Sequence, residues 1–413
     1  MFRRRLIGLL LGVLLWTQSA RAQEQPQPIV EITYERALAL AREQSPTLAA
    51  ARARAREAAS HIDAASVWRF NPQVSGAAGP RFRSDGPGDG ATVDWSVSAQ
   101  QWLEVGGQRG ERIAAARAGA DAGVARSEDA QRLLLRDVSF AFISALYWER
   151  RIALAEENLR ITDAVARVAS RRHEVGEVGG LEQSVSELAV ARARTDIDRA
   201  RASLTQAEGR LKALLGLEAP TELACLGDLR QLGIHDTTGA DVSDRPDMRA
   251  LRSDIRQAEA EADLGRAGGV PDLALGAGYA REEFDDIVQG TLTIALPVFD
   301  HGQGTTTVAE ARRERLRVEL DATRSTAGVE ASTAQMTTER LSTAARRFEQ
   351  EGLATLDRSE RLATATYEAG AIPLGELLAV RRELVQAKLD YADLLLGAAN
   401  ARAELAASTG SLR

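Results

Sequence analysis

The chain has 413 residues and a formal net charge of −7, with Lys+Arg 52 against Asp+Glu 59 and only 4% aromatic residues. So few rings cannot fill a large globular core, and charges of both signs interspersed along the chain describe solvated helix faces, not a basic surface for nucleic acid. Cys225 is the single cysteine, which excludes an intramolecular disulfide.

Residues 1–22 have the three parts of a secretory signal. Arg3, Arg4 and Arg5 form the charged start, residues 6–15 the apolar middle, and Ala20-Arg21-Ala22 the small-x-small cleavage site. An apolar run of roughly ten residues is too short to span a bilayer as a helix, so export is predicted, with Gln23 as the mature N-terminus. A polar lead follows, then a short amphipathic helix over 34–44. Ser45-Pro46 opens a second helix running to about Trp68.

The period then changes. Val93, Trp95, Val97 and Ala99 alternate with Asp94, Ser96, Ser98 and Gln100, a period of two that predicts a strand over 92–103. Residues 72–82 read as a weaker strand and 84–90 as the loop joining the two. From Gly107 to His173 there is no proline, and the tract carries helical spacing in Leu135, Val138, Phe142 and Ala145. Some 65 residues at about 1.5 Å each predict a helix of roughly 100 Å, far longer than a globular domain needs. A glycine turn containing Gly176, Gly179 and Gly180 follows, then a return helix over 181–215 and an irregular stretch over 216–244.

The order then repeats. Arg245-Pro246 opens a helix, strands are predicted at 271–281 and 287–297 around a charged loop at 281–286, and Gly302-Gln303-Gly304 leads into a helix reaching Ala369. Pro373 starts the return helix, which runs to about Ser408. Gly370 follows Gly176 by 194 residues, Glu376 follows Glu182 by 194, and Gly410 follows Gly216 by 194. One unit is written twice, with 23–244 as the first structural repeat and 245–413 as the second, intertwined in one domain. Gly179-Gly180 loosens only the first tip and Pro373 stiffens only the second, so the first hairpin is expected to be the more mobile.

No catalytic constellation is legible. His61, His173, His235 and His301 stand at no ligand spacing with one another or with Cys225, and no triad or carboxylate dyad appears. Gly106-Gly107 and Gly302-x-Gly304 could cradle a phosphate at a helix start. Both lack the P-loop lysine and the full GxGxxG, and the strands before them alternate, so they read as sharp strand-to-helix corners. The acidic residues of 281–286 read as a surface loop. The strands say more. Segments of about ten alternating residues suit an outer-membrane barrel, but four strands cannot close one, and open edges are not tolerated in lipid. Three copies would supply twelve. A soluble β patch capping a secreted, pore-free coiled coil is the reading from another class.

With these residues in place, the chain resembles the TolC-type outer-membrane efflux factors over essentially its whole mature length. The most specific matches are Tyr367-Glu368-Ala369-Gly370 followed by Glu376-Leu377-Leu378, and the junctions near Pro72 and Pro271. The run Leu103-Glu104-Val105-Gly106-Gly107-Gln108-Arg109-Gly110-Glu111-Arg112 is similar to the cation-efflux (CzcC-like) branch, with Gln108 where a lysine is common. The resemblance implies a mainly α fold of duplicated helical hairpins forming a periplasmic α-barrel. It also implies four strands per chain in a 12-stranded trimeric barrel embedded in outer-membrane lipid. It further implies a homotrimer docked through a periplasmic adaptor to an inner-membrane pump of the resistance–nodulation–division class. The chain would be a passive exit duct without cofactor, carrying heavy-metal cations, with drug efflux or type I secretion as the alternative cargo. By the same resemblance Glu182 and Glu376 fall on the acidic ring at the periplasmic entrance, and Gly176, Gly179, Gly180, Tyr367, Gly370 and Pro373 on the tips where the adaptor docks. Ala379 and Ile372 depart from the family's second acidic residue and closure arginine, so any closure network here is differently built.

Overall fold

The computed structural model describes residues 29–81, 92–234 and 242–411. The signal segment and the 84–90 loop lie outside the described residues. Helices dominate. After β1 (Val30–Thr33) come α1 (Tyr34–Gln44) and α2 (Pro46–Ser66), then β2 (Gln73–Arg81) and β3 (Thr92–Leu103), then the paired helices α3 (Gln108–Glu174) and α4 (Gly180–Leu215). The second half has β4 (Leu223–Leu226), α5 (Pro246–Ala267), β5 (Leu273–Glu282), β6 (Asp285–Ile294), α6 (Gln303–Arg347), α7 (Leu353–Glu368) and α8 (Leu374–Ser408). At 67 residues, α3 is about 100 Å long. Among the described residues no helix is long and apolar enough to cross a membrane.

Helix starts and stops follow local chemistry. Thr33 caps α1, its hydroxyl accepting from the Arg36 amide. Proline occupies the first position of both α2 and α5, where its missing N–H leaves nothing unpaired. Ser45 precedes α2 as expected but its hydroxyl makes no capping bond; its amide instead closes α1 on the Ala41 carbonyl. The four repeat-marking glycines all end helices. Gly176, Gly216, Gly370 and Gly410 have φ between 71° and 78°, and the residue after each donates its amide to a carbonyl five back, as Glu177 does to Arg172 at 2.8 Å and Ala371 to Thr366 at 3.0 Å. That bonding needs a left-handed residue at the turn, which favours glycine.

The four long strands form one antiparallel sheet in the order β2-β3-β5-β6. The expected charged loop at 281–286 is instead a tight turn: Glu282 pairs with Asp285, and Glu283 takes φ 55°. Register places Val74, Ala78, Trp95, Val97, Leu275, Tyr279, Val288 and Leu292 on one face. Most of these apolar side chains are exposed, Val97 at 47%. Ser75, Ser96, Ser98, Gln100, Gln289, Thr291 and Thr293 occupy the other face. One face of this sheet is therefore apolar and exposed, and the other is mostly polar, with Trp102 and Ile287 as its large apolar residues.

The main core lies midway along α3, where Leu135, Val138, Phe142 and Ile143 pack against Tyr34, Leu48, Leu211, Leu215 and Ala399. The Tyr34 hydroxyl meets Ser139 Oγ at 2.8 Å inside it. Beside this core a second sheet pairs β1 with β4 in parallel; β1 falls in 29–33, to which the sequence assigns no element, and β4 in the stretch expected to be irregular. Four residues each, drawn from segments nearly two hundred apart, carry no period to read. Cys225 sits in β4, and burial, with Glu149 and Glu208 adding to it, pushes its thiol up to about 12, so it is no reactive thiolate at neutral pH.

The expected unbroken helix from Gly302 to Ala369 is divided. A π-turn over Phe348–Gly352 separates α6 from α7, with Phe348 stacked on Tyr391 of α8 at 5.2 Å between centroids. The first repeat has no such turn in α3, so the asymmetry between hairpins extends well above the tips.

The strand-to-helix corners also differ in detail. Gly107 and Gly302 are left-handed, at φ 83° and 81°. A Cβ on Gly106 would lie 2.6 Å from Val270 Cβ. Gly304, inside the first turn of α6, faces open space. Gln108 is the stitch between repeats: its amide reaches the Ala267 carbonyl at 3.2 Å, the Val270 carbonyl at 3.3 Å and Asp272 at 3.3 Å. Glu104 and Arg112 close an ion pair across the same corner.

Candidate functional site at the helical tips

Each tip is a glycine turn between two long antiparallel helices. In the first, the His173 ring pairs with the Val178 carbonyl at 2.9 Å across the turn. In the second, Pro373 leads into α8, and the Glu376 and Leu377 amides bond back to its carbonyl. Proline there restricts the chain before the helix begins.

The structure brings the two tips together through Tyr367. The residue is 8% exposed and packs with Ala169 of α3 and with Ala363, Leu374 and Leu377 of its own hairpin. Beside it stands Arg172, which sequence reasoning did not single out. Arg172 meets Glu177 at 3.2 Å and lies 4.0 Å from Glu182. Nearness to the Tyr367 hydroxyl first, and to Glu177 second, raises Arg172 above the usual arginine range. The hydroxyl itself falls short of hydrogen-bond geometry. No periodicity marks Arg172 among the arginines of α3; only the folding of both tips against one another gives it a role.

The two repeat-related glutamates stand in different surroundings. Glu182, in the first turn of α4, is partly buried, and one carboxylate oxygen is enclosed without a hydrogen bond. Glu376, in the first turn of α8, is exposed and makes no ion pair among the described residues. Both positions suit a carboxylate near a helix N-terminus. A groove of about 730 Å³ runs beside them, lined by Val168, Arg172, Glu177, Tyr367, Gly370 and Leu377; Gly179, Gly180 and Pro373 lie at the turns outside it.

Above the groove a partly buried ionic network joins the hairpins. Lys388 of α8 reaches Glu157 of α3 at 3.1 Å and Glu360 of α7 at 2.9 Å, and Arg381 bonds Glu360 and Thr364 at 2.7 Å each. Burial works to lower the Lys388 pKa, but the two carboxylates outweigh it and the pKa is raised. Burial likewise works to raise Glu360, and Lys388 and Arg381 hold it below the usual range. No cluster of metal-ligating side chains occurs among the described residues. The arrangement binds the two hairpins together and positions their helices.

A sheet with one exposed apolar face, carried on doubled helical hairpins whose longer arms reach about 100 Å, fits an outer-membrane channel with a helical extension. The chain belongs to the outer membrane efflux protein family, whose model matches residues 37–217 and 242–411. It is an efflux channel of the outer membrane, with its long helices in the periplasm. It is 26% identical over 300 residues to the cobalt-zinc-cadmium resistance protein CzcC of Cupriavidus metallidurans, covering 71% of each chain. It is 27% identical over 400 residues to the pyoverdine export outer membrane protein OpmQ of Pseudomonas putida, covering 90% of this chain and 84% of that one. The crystal structure of CusC superposes with a TM-score of 0.77 at 20% identity over 92% of both chains.

Proposed function

We propose that three copies of this chain pool their sheets into a 12-stranded barrel and their hairpins into one tunnel, forming the passive exit duct of a tripartite efflux system. The observation that carries this reading is the sheet itself: its apolar face is exposed, and β2 and β6 end it with no neighbouring strand among the described residues. Unpaired edges in lipid leave backbone groups unsatisfied, and pairing β2 of one chain with β6 of the next removes both edges. A periplasmic adaptor docks at the tips, in the groove beside Tyr367 and Gly370, and an inner-membrane pump of the resistance–nodulation–division class feeds it. The duct carries no cofactor and performs no reaction.

The cargo we assign is divalent transition-metal cations. Support comes from the likeness to a cobalt-zinc-cadmium resistance protein and from the Leu103–Arg112 corner run. The likeness to a pyoverdine exporter favours a second reading, a duct for a small organic molecule. A deletion strain separates them: loss of metal tolerance supports the first, and loss of organic efflux with metal tolerance intact supports the second. Detergent extraction of outer membranes is expected to yield a trimer that opens discrete conductances in a planar bilayer. A soluble periplasmic monomer would rule the duct out.

The same bilayer tests the entrance. Glu182→Gln with Glu376→Gln is expected to lower cation selectivity, since carboxylates repeated around a narrow axis attract cations. Because Arg172 stands beside Glu182 while Glu376 is exposed, Glu376→Gln alone is expected to produce most of the change. Unchanged reversal potentials in both variants would remove these residues from the entrance ring.

A further inference from the structure

The polar face of the sheet is uncharged along most of its length. From the helix-bearing end it presents Gln73, Ser75, Ala77 and Gly79 on β2, Gln100, Ser98 and Ser96 on β3, and Ala274, Gly276, Gly278 and Ala280 on β5. Charge appears on this face only at the far end, among the described residues. There Arg81 Nε donates to Asp94 at 2.7 Å and Arg81 Nη2 to Glu282 at 2.8 Å, tying β2, β3 and β5 together. The Glu283 amide donates to the other Asp94 oxygen at 3.0 Å, holding that carboxylate in place. Asp285 pairs in register with Glu282 and shares its face, and makes no ion pair among the described residues. On the opposite, apolar face at the same level, Arg281 and Tyr279 meet Asp286, so the two charged sets are separated by the sheet.

We infer that Arg81, Asp94, Glu282 and Asp285 form a cation-preferring ring at the outer mouth of the channel, whose strength Arg81 sets. This rests on the reading that three chains close a barrel with the polar face inward. Among the described residues of this face, each chain then contributes one guanidinium and three carboxylates. The arginine cancels one carboxylate and fixes two, so these four residues carry two net negative charges per chain on the lumen wall. Such a ring favours cation passage, and its partial neutralisation keeps it from trapping a cation on its way out, the balance that conduction requires. The field is felt across a wide lumen only when screening is weak: the Debye length is about 30 Å at 0.01 M salt and about 3 Å at 1 M.

The test is the reversal potential of detergent-purified trimers in planar bilayers under a potassium chloride gradient, at low and at high salt. In low salt Arg81→Gln shifts the potential toward the potassium limit, and Asp94→Asn with Glu282→Gln shifts it toward zero. Asp285→Asn, which breaks no ion pair among the described residues, also shifts it toward zero and keeps the test independent of the strut's role in folding. All three shifts shrink in 1 M salt. Wild-type potentials in Asp285→Asn and in either strut variant, or shifts in the same direction from Arg81→Gln and Asp285→Asn, overturn the ring. Absence of any conductance from the wild-type trimer overturns the barrel reading, and the ring with it.

Discussion

Val97→Arg will remove the trimer from the outer membrane, whereas Ser96→Arg, one residue away, will leave it there. Both positions lie mid-strand in β3. Val97 is on the apolar face, opposite Gly76 on β2 and Tyr279 on β5; Ser96 is on the polar face, opposite Ala77 and Ala280. An arginine facing lipid near the bilayer midplane costs about 2–4 kcal/mol, while one facing the lumen is solvated. A trimer carries the substitution three times, so the total reaches roughly 6–12 kcal/mol, comparable to the whole stability of a folded domain. Gel analysis of detergent-extracted outer membranes measures trimer yield directly. Equal yields for the two variants would mean that the apolar face does not meet lipid.

Gly302→Ala will destabilise the protein far more than Gly107→Ala, although the two glycines occupy corresponding corners and share nearly the same φ. A left-handed backbone alone costs an alanine about 1–2 kcal/mol, and that is all Gly107 faces, since its Cβ would meet nothing within 4 Å. At Gly302 the added Cβ would lie 1.9 Å from the Gly265 carbonyl oxygen, and a Cβ on Gly265 would lie 2.4 Å from Thr306 Oγ1. Here α5 and the start of α6 touch backbone to backbone, with no flexible side chain to move aside. Forcing them apart adds about 1–3 kcal/mol of overpacking, for a total of roughly 2–5 kcal/mol. Thermal melting of the detergent-solubilised trimers should place Gly302→Ala well below Gly107→Ala. Coincident melting curves would show that α5 yields at no cost.

These two comparisons mark how far the residues could be read in advance. The faces of β3 were legible because a strand alternates strictly, so Val97 and Ser96 separate without any coordinates. The four turn glycines were legible because each helix must stop, and glycine is favoured where the closing residue is left-handed. The corner glycines were recognisable as corners, but their unequal burdens were not, because α5 presses its Gly265 carbonyl on Gly302 while Gly107 faces open space. Tyr367 was marked by resemblance, while Arg172 was not marked at all. The parallel pairing of β1 with β4 left no trace, since a parallel partner distant in the chain imposes no period on four residues. The π-turn at Phe348–Gly352 was equally hidden, because one widened turn hardly disturbs helical spacing.

The sequence by itself determined the duplicated order of strands and long hairpins, the apolar face of the sheet and the positions where helices turn. These depend on local backbone geometry and on periods of two and 3.6, which neighbouring residues impose. Only the tertiary structure decided which distant groups meet: Gln108 stitching the two corners, Lys388 bridging the hairpins, Arg172 standing beside Tyr367 and Glu182, and Arg81 spanning three strands. Each is a long polar side chain whose partners come from separate elements. Its sequence neighbours restrict its rotamers but do not choose among the carbonyls and carboxylates within its reach; the packing of the elements does.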